Sequence, residues 1–198
     1  MNKKLFVISG CSGVGKGTVI SEFMKRNPKD FVLSVSCTTR QPRQGEQHGV
    51  NYFFLTIEEF EKNIIEEKFL EHAQFAGNHY GTKEKYIRQM LDDGYNVILE
   101  IETQGALQVK QKMPEAVLIF IAPPGVDRAS GDISGGLKEL ENRLRGRRTE
   151  DESTIQKRLA QVKTELERSK FYDYTVINDD ILCAVQEIEK ITQKELGR

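Results

Sequence analysis

The chain has 198 residues, enough to bury a substantial core within one domain. Its 38% hydrophobic and 30% charged residues fit an ordinary globular enzyme, and a formal net charge of −1 excludes holding a nucleic-acid backbone by overall charge. Three widely spaced cysteines, Cys11, Cys37 and Cys183, form neither a disulfide framework nor a metal-ligand spacing, so a reducing, cytoplasmic setting is expected.

The apolar run at residues 5–8, after Lys3 and Lys4, is too short for a signal peptide. No stretch approaches the roughly 18 apolar residues of a membrane helix, so no membrane partner is expected. Residues 5–9 (LFVIS) run into a glycine-rich turn and then a helical pattern at 16–26, a strand–loop–helix opening. Residues 32–35 are a second β-like run. Residues 36–80 then break the pattern with turn formers, the aromatic run Tyr52-Phe53-Phe54 and one predicted helix at 56–63, which reads as an inserted sub-lobe. Apolar runs at 96–101 (NVILEI) and 116–122 (AVLIFIA), with a short strand at 175–177, alternate with helical patterns at 83–92, 104–113, 152–170 and 180–195. Strands without polar alternation are those buried on both faces of a parallel sheet, so an α/β fold with a parallel core sheet is expected. Pro123-Pro124-Gly125 ends a strand, residues 131–136 are a flexible glycine- and serine-bearing stretch, and an arginine-dense helix is predicted at 138–148. A cationic helix on a flexible connection suggests a mobile lid. The expected organisation is one domain over 1–198: core about 1–35, 81–122 and 151–198, sub-lobe about 36–80, lid about 123–150.

The strongest motif is Gly10-Cys11-Ser12-Gly13-Val14-Gly15-Lys16-Gly17-Thr18. Its glycines let the backbone turn N–H groups inward on phosphate oxygens, and the following helix adds its positive N-terminal end. Lys16 reaches toward the β- and γ-phosphates. Gly17 stands where the generic pattern has a magnesium-binding Ser or Thr, which leaves the direct Mg²⁺ ligand open between a protein hydroxyl and phosphates with water. Downstream, Arg40 and Arg43 flank a proline-stiffened turn, and arginine forks match phosphate oxygens bidentately. Tyr52 and Tyr80 can each add a hydroxyl donor.

Over nearly its whole length the chain resembles the guanylate kinase family. The resemblance is carried by the phosphate-cradle motif, SxTTRxPRxGE at 36–46, Val50-Asn51-Tyr52-Phe53-Phe54, Phe69-Leu70-Glu71-His72-Ala73, Gly77-Asn78-His79-Tyr80-Gly81-Thr82, Ile101-Glu102-Thr103-Gln104-Gly105-Ala106 and Val176-Ile177-Asn178-Asp179-Asp180. It implies a three-layer P-loop fold with an inserted GMP-binding sub-lobe and a lid, and Mg-ATP-dependent phosphorylation of GMP or dGMP. By this resemblance Arg40, Arg43, Tyr52 and Tyr80 hold the GMP phosphate, and Ser36, Glu71, Thr82 and Glu102 surround the guanine. A carboxylate at Glu71 can accept from guanine N1–H and the 2-amino group together, and such a site can reject a wrong base by roughly 10⁴-fold. Glu100 and Glu102 replace two aspartates common in the family, and keep the carboxylates with one more methylene each toward guanine or a magnesium-bound water.

Arg143, Arg147 and Arg158 match the spacing of arginines that the family sets around ATP and the transferring phosphoryl group, and Arg147 with Asn178 would flank the adenine. Residues 126–135 look like an insertion before the lid helix, either a longer loop or an element that alters lid closure or meets a partner. Two other functions are weighed: an inactive protein-binding module, against which stands the intact cradle, and a kinase for another nucleoside monophosphate, against which stand Glu71, Ser36 and Thr82. The sequence assigns no oligomeric state.

Overall fold

The computed structural model describes residues 3–75, 77–146 and 152–198; of residues 143, 144, 146, 153, 154 and 157 it describes the backbone alone. In chain order the elements are β1 (Leu5–Gly10), α1 (Lys16–Arg26), β2 (Phe31–Leu33), β3 (Cys37–Thr38), β4 (Phe53–Phe54), α2 (Ile57–Ile65), β5 (Phe69–Phe75) and β6 (Asn78–Lys83). They continue with α3 (Glu84–Asp92), β7 (Asn96–Glu100), α4 (Thr103–Lys112), β8 (Val117–Ala122), α5 (Ser134–Gly146), α6 (Glu152–Glu167), a 3₁₀ turn (Arg168–Phe171), β9 (Tyr174–Ile177) and α7 (Ile181–Glu195). The architecture is mixed α/β with a parallel core sheet, as the apolar runs imply. Among the described residues no helix is long and apolar enough to cross a membrane. Two compact units divide the chain, Met1–Val7 with Pro28–Ala116 and Ile8–Asn27 with Val117–Arg198.

In the first unit β7 lies between β2 and β1. β2 and β7 run parallel from Phe31↔Asn96 to Leu33↔Ile98, and β7 is buried along most of its length. The strand expected at 32–35 begins one residue earlier and ends at Leu33. Ser34 N–H still donates to the Ile98 carbonyl at 2.8 Å, after which the chain leaves for β3 in the other sheet. Residues 36–80, expected as turns around one helix, hold most of a four-stranded sheet of order β4-β3-β6-β5. β5 and β6 are antiparallel from Phe69↔Lys83 to Phe75↔Asn78, with a register shift between Phe69 and Glu71. These strands carry His, Gln, Asn and Gly, whose intrinsic β preference is weak, so pairing and the layer beneath them supply the structure. That layer is α2, opened by a capping box in which Thr56 accepts from Glu59 N–H and Glu59 accepts from Thr56 N–H. Its Phe60 lies with its ring centroid 4.5 Å from that of Phe69, and Cys37, Phe53, Leu55 and Ile64 complete the cluster.

In the second unit β8 lies between β1 and β9, and β8 pairs in parallel with β9 from Ile119↔Tyr174 to Ala122↔Ile177. All six residues of β1 and all six of β8 are buried, which explains the apolar runs at 5–8 and 117–122. α7 starts at Asp180, whose carboxylate accepts from Cys183 N–H at 2.9 Å.

The stretch at 131–136 differs from the flexible connector expected. α5 begins at Ser134, so residues 134–136 form its first turn and the helix starts four residues before the expected Lys138. Asp132 directs this start, accepting from the Ser134 N–H and hydroxyl, each at 2.9 Å. The neck of the loop is a backbone-to-backbone approach: a Cβ on Gly135 would sit 2.3 Å from the Gly125 carbonyl oxygen. At its tip Arg128 forms a two-pronged ion pair with Glu187 of α7.

Candidate active site

The phosphate cradle lies wholly in the second unit. Gly13 and Gly15 hold φ of 83° and 90°, the left-handed region that side chains avoid, and Lys16 follows as the first residue of α1. Gly10 meets β8 so closely that a Cβ would lie 2.5 Å from the Ile121 carbonyl oxygen. Cys11 and Val14 are buried and anchor the loop from below, while Gly13, Gly15, Gly17 and Thr18 are exposed and Ser12 and Lys16 half-buried. Exposed backbone at a helix N-terminus, with a lysine beside it, offers the donors and the positive potential that an anion requires.

Two buried side chains brace this loop. Asn178, 8% exposed, donates from Nδ2 to the Val14 carbonyl at 2.7 Å and packs against Gly15, where a Cβ would stand 2.9 Å from that nitrogen. The residue expected beside adenine therefore also supports the cradle. Glu165 of α6, 4% exposed, accepts the Ser12 N–H at 3.1 Å and the Gln161 side chain at 3.0 Å. Sequence reasoning missed Glu165, because one acid in a charged helix carries no local signal. Along the first turns of α1 and the start of α7 runs an open cavity of about 780 Å³, bordered by Gly17, Thr18, Ser21, Asp179, Asp180 and Leu182. Its volume suits a nucleoside.

The residues expected on the acceptor side lie wholly in the first unit, and three of those expected around the base, Glu71, Thr82 and Ser36, come together. Glu71 on β5 is 3% exposed, and Thr82 on β6 donates its hydroxyl to Glu71 Oε1 at 2.6 Å. The Ser36 hydroxyl lies 3.4 Å from that of Thr82. Burial pushes the Glu71 carboxyl up to about 7, against the opposing pull of the Thr82 hydrogen bond and the Lys112 charge. A buried carboxylate beside two hydroxyls has capacity left for donors from a ligand. Glu102 caps the start of α4 and Glu100 ends β7, both half-buried.

Of the residues expected at the GMP phosphate, Arg40, Tyr52 and Tyr80 come together, with one addition. Arg40 lies over the Tyr52 ring, 5.5 Å from its centroid, and the Tyr52 and Tyr80 rings meet at 6.1 Å. Burial raises the Tyr52 hydroxyl, with Tyr80 and then Glu100 adding to the effect. Glu46 was not singled out from sequence. It takes both bonds from Arg40 Nη2, at 2.9 and 3.0 Å, and also accepts the Arg43 N–H at 2.8 Å. The Glu46 hydrogen bond, with a smaller one from Tyr80, holds the guanidinium above its ordinary value, and Arg40 holds Glu46 below the usual carboxylate range. The Arg43 residue is exposed on the same turn. Glu46 thus orients one fork of the pair and ties down the backbone of the other.

Of the three arginines expected around the transferring phosphoryl group, Arg158 is half-buried on α6. Arg143 has its backbone in α5 and its side chain outside those described, and Arg147 lies outside the described residues.

Residues 2–195 match the sequence model of the family described as guanylate kinase. A guanylate kinase of Latilactobacillus sakei subsp. sakei is 48% identical over 191 residues, spanning 96% of this chain and 89% of that protein. One of Bacillus anthracis is 48% identical over 191 residues, spanning 96% of this chain and 88% of its own length. Among solved structures, the crystal structure of guanylate kinase from Anaplasma phagocytophilum matches with a TM-score of 0.73 at 30% identity, covering 98% of this chain and 86% of that one.

Proposed function

Since the chain belongs to the guanylate kinase family, we propose that it transfers the γ-phosphoryl group of ATP to GMP or dGMP, releasing ADP and the nucleoside diphosphate. The observation that carries this reading is the buried Glu71 carboxylate with the Thr82 and Ser36 hydroxyls beside it. Guanine presents N1–H and a 2-amino group side by side, two donors for one carboxylate. Adenine presents an acceptor at N1 and only a C–H at C2, so it offers the carboxylate neither donor.

An oxygen of the GMP phosphate attacks the γ-phosphorus, and the bond from that phosphorus to the bridging β,γ-oxygen breaks, leaving its electron pair on ADP. The attacking group is already anionic, so no strong general base is needed. What remains is to bring two anions into line and neutralise them. Lys16 and the cradle N–H groups take the ATP phosphates, and Arg40, Arg43, Tyr52 and Tyr80 take the GMP phosphate. Arg158, with Arg143 and Arg147 by family resemblance, would balance charge spreading over the transferring oxygens.

ATP chemistry implies magnesium. Among the described residues no group of three or more His, Cys, Asp or Glu side chains stands together as a ligand set, and Gly17 brings no hydroxyl beside Lys16. The donors fit an ion carried on phosphate oxygens and water, with Glu100 as the carboxylate that would hold its water. Such an ion would supply charge neutralisation on the phosphates. We place the protein in the cytoplasm, a setting that suits its three free thiols.

The test is ADP release in a coupled assay, with ATP and magnesium and with GMP, AMP, UMP and CMP offered separately. GMP should be preferred by several orders of magnitude in kcat/KM. Comparable turnover of AMP or a pyrimidine nucleotide would end this reading.

A further inference from the structure

Helix α4 meets β5 through residues spaced three and four apart on one face: Gly105, Gln108 and Lys112. Gln108 grips both backbone groups of His72, accepting its N–H at 3.1 Å and donating to its carbonyl at 2.8 Å. Lys112 Nζ donates to the Phe69 carbonyl at 2.7 Å. These bonds hold the backbone on both sides of Glu71. Gly105 meets the Glu71 side chain itself: a Cβ built there would lie 2.3 Å from Oε2 and 3.0 Å from Cδ. The carboxylate therefore occupies the space that any other residue at 105 would fill. With Thr82 bonded to Oε1 and Gly105 seating Oε2, the group has one orientation.

We propose that α4, through Gly105 and Gln108, positions the base-reading carboxylate, and that the missing side chain at Gly105 sets the discrimination for guanine. The inference rests on Glu71 reading the base, as proposed above. Gly105 touches no substrate in this account; it acts through Glu71. Glycine is a poor helix former, and alanine at this position in the first turn of α4 would not disfavour the helix. The atom an alanine would displace is the far end of a flexible side chain, so the fold has an inexpensive response and base recognition does not.

The test is Gly105→Ala assayed with GMP and with inosine monophosphate, whose base keeps N1–H and lacks the 2-amino group. Weakening one charge-assisted hydrogen bond should raise KM for GMP about tenfold or more and cut the GMP-over-IMP preference by a similar factor. KM for ATP should stay within about twofold, and Tm should be unchanged or higher. Parent-like KM and preference would overturn the proposal. So would equal losses with both nucleotides alongside a lowered Tm, which would assign Gly105 to packing alone. Gln108→Ala leaves Gly105 in place and should also raise KM for GMP; a parent-like value counts against the positioning role. Glu71→Ala, run in parallel, separates the two readings. Parent-like GMP kinetics there refute base reading itself, whereas a loss there with parent-like Gly105→Ala and Gln108→Ala refutes the positioning alone.

Discussion

Burial pushes the Glu71 carboxyl up to about 7, and that single shift gives substrate binding and folding opposite responses to pH. Guanine needs the ionised acceptor, so KM for GMP should rise as pH falls through about 7, climbing roughly tenfold per unit once the acid form dominates. Folding favours the neutral form. The folded value lies above the ordinary carboxylate value of 4.5, so this group's contribution to the stability of the ligand-free protein grows as pH falls from about 7 toward 4.5 and is lost as pH rises through 7. Lys112→Met removes a charge that lowers the Glu71 value and should move the KM profile to higher pH. Steady-state KM measured from pH 5.5 to 8.5 in both proteins checks this, and a flat profile for the parent contradicts it. At this scale, Arg40, Tyr52, Tyr80, Ser36, Glu71 and Thr82 were singled out from ordered motifs, and the fold brings them into two clusters, Arg40 with Tyr52 and Tyr80, and Glu71 with Thr82 and Ser36. Glu165 carried no signal, and Glu46 stood in a motif without a role assigned to it. Each acts through a contact made by the fold, six residues from its arginine in one case and across 153 positions of sequence in the other.

Elements announce themselves when their burial pattern is uniform. β1, β7 and β8 run buried and apolar and were read directly, whereas β5 and β6 were not. They place Glu71 inward while exposing Gln74 and Phe75, and neither a period of two nor an apolar run survives that mixture. What fixes them is the aromatic layer below, where a Cβ on Gly81 would already stand 3.1 Å from Phe60 Cζ and from Phe69 Cδ1. Phe60→Ala should therefore cost about 3–5 kcal/mol, the price of a cavity under the strands that carry Glu71, Tyr80 and Thr82. Phe60→Leu, which refills most of the volume, should cost less than about 1.5 kcal/mol. Urea unfolding measures both, and equal midpoints for the two variants would show that the site does not depend on this layer.

Across the whole molecule, the proposed function assigns the two ligands to residues in different compact units, which thermal unfolding can separate. A ligand at a hundred times its Kd adds about 2.7 kcal/mol to the folded state, worth about 5–10 °C for a chain of this length. GMP alone and a non-hydrolysable ATP analogue with magnesium should each raise Tm on that scale. Glu71→Ala removes an acceptor in the first unit, so it should lose most of the GMP shift and keep the ATP-analogue shift. Lys16→Ala removes a cation in the second unit and should do the reverse. Scanning calorimetry of the three proteins with each ligand gives the full set of shifts. Loss of both shifts in either variant would mean that the substitution damages the fold rather than one nucleotide's contacts, and retention of the ATP-analogue shift in Lys16→Ala would remove that lysine from phosphate binding.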